Sequence, residues 1–298
     1  MAENQEILTL TMNPSLDISA EVDRVAATMK MRCDNDRIDP GGGGINVSRA
    51  IHILGGSSLA VFPAGGSTGK ILIDMLKEQG VDNRPVTTEL LSRQSFAVRE
   101  RETNQQYRFS MSGHELPEQT SRECLQMITQ YDPPPSFVVV SGSLPPGVPD
   151  DFYGKLANHF RQSRTKIILD TSGEPLKKAL KEQVYLIKPN QRELEYVCDC
   201  SLAEENVQNE KCREIIEKGY CEALVLTLGK KGALLTTKEG QYRIPGIEVK
   251  EVSAVGAGDS FVGGMVLALQ QGKKLPDAFL YAMAAGASAL TTEATALC

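Results

Sequence analysis

The chain has 298 residues, 41% hydrophobic and 23% charged, a balance that excludes a disordered or fibrous polymer and supplies enough apolar mass for a core without disulfide or metal staples. With 32 Lys and Arg against 38 Asp and Glu the net charge is −6, which argues against nucleic acid or an anionic membrane as partner while a few local cations can still hold a small anion. Seven cysteines (Cys33, Cys124, Cys198, Cys200, Cys212, Cys221 and Cys298) show no framework spacing, residues 1–6 are polar and acidic, and the apolar stretch 278–290 is too short to span a bilayer, so a cytoplasmic protein with reduced thiols is expected.

The first element is an apolar run at 7–12, read as a strand that empties into Asn13-Pro14-Ser15-Leu16-Asp17. Residues 15–39 alternate polar and apolar, as an antiparallel sheet with one wet face does. Four glycines, Gly41, Gly42, Gly43 and Gly44, lead into a helix over 45–54. A strand at 58–62 runs through Pro63-Ala64-Gly65-Gly66 to a helix over 70–79, closed by Gly80. Alternation returns over 93–112, and a helix follows at 121–130. The strand at 137–140 exits into Ser141-Gly142-Ser143, and Asp150 stands ready to cap a helix over 151–162. Strands at 166–169 and 185–187 exit into Asp170-Thr171-Ser172-Gly173 and Lys188-Pro189-Asn190-Gln191. Helices over 192–197 and 206–218, the second closed by Gly219, lead to a strand at 223–228 that ends in Gly229-Lys230-Lys231-Gly232. Val255-Gly256-Ala257-Gly258-Asp259-Ser260-Phe261 precedes an apolar helix pattern at 262–269.

Continuously apolar strands alternating with helices predict an α/β fold: three layers, a mostly parallel sheet with helices on both faces. The two alternating stretches, 15–39 and 93–112, read as a small inserted β lid, leaving 1–14, 40–92 and 113–298 as the core. Every strand exit is small, polar or glycine-rich, and the ligand crevice of an open α/β sheet lies beyond those carboxyl ends.

Glycines ahead of a helix free backbone N–H groups, and the helix dipole adds positive potential, so 255–261 is an anion cradle. Asp259 in its first turn is either a favoured capping carboxylate or a general base beside a bound phosphate. The Gly41–Gly44 run either lets a ligand approach the backbone, at a large entropic cost, or is a loose turn. Gly65-Gly66-Ser67-Thr68-Gly69-Lys70 lacks Walker A spacing, and neither of the other loops has the third glycine of a dinucleotide fingerprint. Asn190 and Glu193 either orient Mg²⁺ through water or form a helix N-cap with its capping box. Asp17 either accepts hydrogen bonds from sugar hydroxyls or caps a turn. Two or three of the lid cations Lys30, Arg32, Arg93, Arg99, Arg101 and Arg108 would bind a phosphate if they face the crevice. Cys198 and Cys200 lack the partners of a metal site, and no Ser/His/Asp arrangement is visible.

The segments 41–50 and 255–264, with Asn190-Gln191-Arg192-Glu193 between them, resemble the signatures of the ribokinase-like (PfkB) carbohydrate kinases, and the resemblance covers nearly the whole chain. Pro40-Gly41-Gly42-Gly43-Gly44-Ile45-Asn46-Val47, Ser141-Gly142-Ser143-Leu144-Pro145-Pro146-Gly147-Val148 and Lys188-Pro189-Asn190-Gln191 are most similar to the minor bacterial 6-phosphofructokinase branch. The resemblance implies transfer of the ATP γ-phosphoryl group to the 1-hydroxyl of fructose 6-phosphate. Tagatose-6-phosphate kinase, 1-phosphofructokinase and a non-catalytic sugar-phosphate sensor stay open as alternatives. It implies Asp259 as base, the Gly256, Ala257 and Gly258 amides as anion hole, and Mg²⁺ organised by Asn190 and Glu193. Lys188, Thr227, Gly229 and Gly232 would line the nucleotide side, and Asp17, Gly41, Gly42, Asn46 and Ser143 would hold the sugar. Lys30, Arg93 and Arg108 match positions that meet the 6-phosphate, with Lys30 reaching in from the second subunit of a homodimer built through the lid. Ser253 and Val255 are the local candidates for K⁺. Where the family usually has Asp-Thr this chain has Ser253-Ala254, so one expected hydroxyl is missing.

Overall fold

A computed structural model describes residues 6–292; residues 1–5 of the opening segment and Cys298, both used above, lie outside them. In chain order the elements are β1 (Ile7–Leu10), β2 (Ser15–Val22), β3 (Asp34–Gly41), α1 (Gly43–Ile53), β4 (Leu59–Gly65), α2 (Gly66–Glu78), β5 (Asn83–Thr88), β6 (Arg93–Glu100), β7 (Gln106–Ser110), α3 (Glu118–Thr129), β8 (Phe137–Ser141), α4 (Phe152–Phe160), β9 (Lys166–Asp170), α5 (Gly173–Ala179), β10 (Val184–Ile187), α6 (Gln191–Cys198), α7 (Glu205–Glu217), β11 (Cys221–Thr227), β12 (Ala233–Thr237), β13 (Gly240–Ile244), α8 (Ala257–Gln270) and α9 (Leu275–Ala289).

Nine strands form the main sheet in the order β13-β12-β11-β10-β9-β8-β1-β4-β5. It is parallel from β5 to β11, and the β12–β13 hairpin adds antiparallel to that edge. Strand side chains alternate between two cores. Leu8, Leu10, Val138, Val140, Leu224 and Leu226 pack with α3 to α7. Ile7, Val139, Ile168 and Val225 pack with α1, α8 and α9, and Ala60 and Phe62 pack with α2. This double burial is why the core strands read as unbroken apolar runs. Among the described residues no helix is long and apolar enough to cross a membrane.

The second sheet has the order β3-β2-β6-β7. Its central β2–β6 pair is parallel, not antiparallel as the alternation suggested. The reason is topological. β2 leaves β1, and β6 leaves β5, at the same end of one parallel sheet, so both enter the second sheet in the same direction. Two local expectations also shift. Asp150 does not cap α4; it pairs with Lys178 at 3.5 Å, and Asp151 occupies the cap position. α2 begins at Gly66, earlier than the pattern starting at 70, because the apolar positions carry no signal over its small and polar first turn.

One close approach sets the site. A Cβ at Gly263 of α8 would press against Ala50 Cβ of α1, and one at Gly264 against Ala285 Cβ of α9. These glycines let α8 sink between its neighbours and bring its N-terminus beside that of α1.

Candidate active site

Between the carboxyl ends of the main sheet and the second sheet lies a cavity of about 370 Å³, lined by residues from both. Its floor is the N-terminus of α8. Gly256, at φ 80°, turns the chain into the helix, and Asp259 follows in the first turn without acting as a side-chain cap. Its Oδ2 instead accepts a hydrogen bond from Asn46 Nδ2 at 2.9 Å. Val255, Gly256, Gly258 and Asp259 line the cavity with Gly42, Gly43 and Asn46. The two glycine stretches therefore meet at one place. Burial, then the nearby Asp170 charge, push the Asp259 carboxyl up to about 7; the Asn46 hydrogen bond and Lys188 pull the other way.

The glycine run before α1 is occupied largely by protein. A Cβ at Gly41 would collide with the Asp17 carboxylate, and one at Gly43 with Ser141. Its glycines thus allow Asp17 and the β8 exit to approach the backbone, and Gly42 and Gly43 keep their cavity-facing side. Gly41→Ala should lower stability by about 1–3 kcal/mol, the usual cost of overpacking, read as a fall in the thermal midpoint.

At the second-sheet side, Ser15 Oγ donates to Asp17 Oδ1 at 2.6 Å. Burial raises the Asp17 pKa above its usual value, partly offset by the Ser15 hydroxyl and by Arg93 and Arg108. Arg93 is held in place: Nε donates to the Asn13 carbonyl at 3.1 Å, and Nη1 donates to Ser110 Oγ at 2.8 Å and the Met111 carbonyl at 3.0 Å. The Arg108 guanidinium lines the same cavity, acting on the Asp17 carboxyl through its charge but making no hydrogen bond or salt bridge to any described residue. Ser143 is also at the wall, its Oγ accepting from Asn13 Nδ2 at 3.4 Å. Lys30 is exposed on the segment between β2 and β3 and does not line this cavity.

On the other flank, Lys188 Nζ and Asp170 Oδ1 form a buried ion pair at 3.0 Å. Burial by itself would lower the Lys188 pKa, but Asp170, Glu193 and Asp259 outweigh it and hold the ammonium above its ordinary value. Asn190 and Glu193 do form the capping box of α6: Asn190 Oδ1 accepts the Glu193 N–H at 3.0 Å, and Glu193 Oε2 accepts the Asn190 N–H at 2.8 Å. Glu193 nevertheless lines the cavity while Asn190 does not, and burial raises its pKa. Thr227 bridges to Asn190 at the carboxyl ends of β10 and β11, its N–H donating to the Pro189 carbonyl at 3.0 Å. Gly229 and Gly232 shape the turn that follows; Gly232 lies against the backbone of Ile244 and Pro245, while a Cβ at Gly229 would meet open space. Ser253 is buried and its Oγ accepts the Val255 N–H at 3.2 Å. Ala257 has its place in α8 but does not line the cavity.

Three site residues escaped the sequence reading. Asp170 appeared only as part of a strand exit, although an acid beside Lys188 is what allows that lysine to be buried. Asp39 lies in the cavity wall, and Arg49 is buried beneath it. α1 holds no acidic residue, so the sequence shows Arg49 as a cation without showing the acid that pairs with it.

Over residues 10–298 the chain matches the pfkB family carbohydrate kinase description. It is 44% identical to ATP-dependent 6-phosphofructokinase isozyme 2 of Mycobacterium tuberculosis over 98% of its own length and 86% of that protein. The crystal structure of phosphofructokinase-2 from Escherichia coli in complex with potassium aligns with a TM-score of 0.94 at 37% identity, covering 99% of this chain and 95% of that one. The same enzyme in complex with fructose-6-phosphate aligns with a TM-score of 0.91 at 36% identity, covering 96% and 94%.

Proposed function

The chain belongs to the pfkB family of carbohydrate kinases, and from that membership we propose that it transfers the terminal phosphoryl group of ATP to the 1-hydroxyl of fructose 6-phosphate, giving fructose 1,6-bisphosphate and ADP. The observation that carries the reading is the Asn46–Asp259 hydrogen bond at the mouth of α8, in one cavity with Arg93 and Arg108. A base at a helix N-terminus and two cations on the opposite wall suit a sugar phosphate with one hydroxyl to be activated. A sugar-phosphate sensor would need the arginines but no ionisable group at the helix mouth.

Asp259 takes the proton of the 1-hydroxyl as its oxygen bonds to the γ-phosphorus and the bond to ADP breaks. A carboxyl pushed to about 7 is matched to that task near neutral pH. The amides of Gly256 and Gly258, which line the cavity, face charge on the transferring group and need no reorganisation. Asp17, Gly41, Gly42, Asn46 and Ser143 hold the sugar, and Arg93 and Arg108 take its 6-phosphate. Lys188, Asn190, Thr227, Gly229 and Gly232 line the nucleotide side. Residues 15–39 and 93–112 act as a lid that keeps water from competing as acceptor.

The family's chemistry uses Mg²⁺, which supplies neutralisation of triphosphate charge. Among the described residues no cluster of three or more His, Cys, Asp or Glu cages a metal, which fits an ion held mostly by water and phosphate oxygens. Asn190 and Glu193 would orient it, the capping box leaving Glu193 Oε1 outside its hydrogen bonds. Ser253 and Val255 would hold K⁺, with Ser253 Oγ as a neutral oxygen donor.

Ile38, Ile18, Phe96 and Phe109 stand in one cross-strand row of the second sheet. Three of them are large exposed hydrophobics, at 43%, 36% and 55% for Ile38, Phe96 and Phe109, a patch that suits a second copy of the chain. A homodimer through this face would bring Lys30 of one protomer toward its partner's cavity.

An ADP-release assay against fructose 6-phosphate, tagatose 6-phosphate, fructose 1-phosphate and ribose tests the reading. Fructose 6-phosphate should give the highest kcat/KM; equal turnover of ribose would overturn the need for a phosphate subsite. Arg93→Ala and Arg108→Ala should each raise the KM for fructose 6-phosphate by about 10–100-fold, the worth of a charged hydrogen bond, and change the KM for ATP far less. Only Arg93→Ala should also lower the thermal midpoint, since only Arg93 ties down Asn13, Ser110 and Met111.

A further inference from the structure

We propose that Arg49 is a positioning residue for this reaction: from beneath the cavity its guanidinium fixes the Asn46 side-chain amide so that Nδ2, not Oδ1, faces Asp259. The inference rests on Asp259 acting as the base.

Arg49 sits one helical turn after Asn46 in α1 and is 4% exposed. Spacing of three puts both side chains on one face of the helix. Nη1 donates to Asn46 Oδ1 at 3.3 Å and to the Pro40 carbonyl at 3.0 Å, and Nε donates to Oε1 of Gln79, the residue that caps the C-terminus of α2, at 2.8 Å. Nη2 lies 3.5 Å from Asp39 Oδ1, and Arg37 engages both Asp39 oxygens, each at 2.8 Å. The guanidinium is therefore anchored by α2, by the chain entering the glycine run and by a cavity-wall acid, and it has no acceptor capacity of its own.

That geometry removes a degeneracy. A carboxamide can turn over, exchanging oxygen for NH₂ with little change in shape. With Oδ1 facing Asp259, two oxygens would meet, which favours a protonated carboxyl; with Nδ2 facing it, the ionised base is stabilised. Arg49 can only donate, so it engages Oδ1 and leaves Nδ2 for Asp259. The carboxyl is faced from elsewhere by Asp170 of β9, Lys188 after β10 and Asp17 of β2, and Glu193 of α6 lies in the same cavity. None of these contacts the Asn46 amide, so none can substitute for Arg49.

Arg49→Met alone would also take from the Asp39 carboxylate its buried cation and leave it to the half-exposed Arg37, so the comparison is D39N/R49M against D39N, with far-UV circular dichroism and thermal midpoints showing that both fold. Relative to D39N, the double variant should lose about 10-fold or more in kcat, keep its KM for ATP, and move the acidic limb of its pH–rate profile up by about one unit, as loss of a hydrogen bond to a charged group does. In the otherwise native chain, Arg49→Lys, which keeps a donor and the charge, should restore most of the kcat. Equal kcat and an unmoved acidic limb in D39N and D39N/R49M, with both folded, would overturn the proposal. Asp259→Asn in the same assay separates the two readings: full activity there removes the base assignment itself, whereas a dead Asp259→Asn beside an unaffected D39N/R49M removes only the role of Arg49.

Discussion

Asp259→Asn lowers kcat by about 10²–10⁴-fold, the range that loss of a general base costs, and leaves the KM for ATP within about threefold of the native value. The asymmetry follows from position. Asp259 faces the cavity in the first turn of α8, whereas the lysine and capping box assigned to the nucleotide side stand at the exits of other strands. An interaction made only in the transition state lowers kcat and kcat/KM together. In the native enzyme kcat/KM falls as the pH drops through about 7, because burial has moved the base there; that limb is absent from the residual activity of the variant. The same substitution should raise stability. The folded state holds the Asp259 proton more tightly than the unfolded chain does. The cost of its buried charge is therefore absent below about pH 4, grows as the pH rises, and is complete above about 7. The thermal midpoint of the variant should exceed that of the native protein at pH 8 and converge with it toward pH 4. A midpoint difference of the opposite sign at pH 8 would mean that the carboxylate is stabilised in the fold.

The elements that were legible in the sequence are those whose environment is uniform. β1, β4, β8, β9, β10 and β11 are buried on both faces and read as apolar runs. β5 and β13 lie at the two sheet edges with mixed exposure, and Asn83-Arg84-Pro85-Val86-Thr87-Thr88 has no period that marks a strand. The parallel β2–β6 pairing was illegible for a different reason: side-chain alternation reports which face is wet but not strand direction. At the site, both glycine runs and Asp259 stood out because glycines that lead into a helix mark a close approach to the backbone, although before α1 the approaching groups are largely Asp17 and Ser141 of the chain itself. The Asn190–Glu193 spacing could not separate a cap from a metal-orienting pair, and the structure shows the cap while leaving Glu193 in the cavity. Asp170, Asp39 and Arg49 were illegible because their meaning is pairwise. A buried cation is explained only by the acid that reaches it, and the two lie on different elements.

Lys188→Met carries the second large effect, and it divides into two parts. Lys188 and Asp170 are 8% and 14% exposed at their side chains. Removing the lysine leaves a buried carboxylate without its cation, a defect of about 3–5 kcal/mol, seen as a fall in thermal midpoint of roughly 5–10 °C. It also takes away a positive charge that favours ionised Asp259 while leaving Asp170, which disfavours it. The acidic limb of the rate profile should therefore move up, and kcat at pH 7 should fall by about 10²-fold or more if the ammonium also meets the nucleotide phosphates. D170N/K188M separates the parts, since it removes both charges and strands neither. Stability should return toward the native value, because replacing a buried pair costs far less than breaking it. The acidic limb should return as well, because the Asp170 charge has gone. The kcat at its pH optimum should stay low, because no electrostatic repair of Asp259 replaces a cation beside the transferring phosphate. Recovery of kcat together with stability would make Lys188 no more than the counter-ion of Asp170.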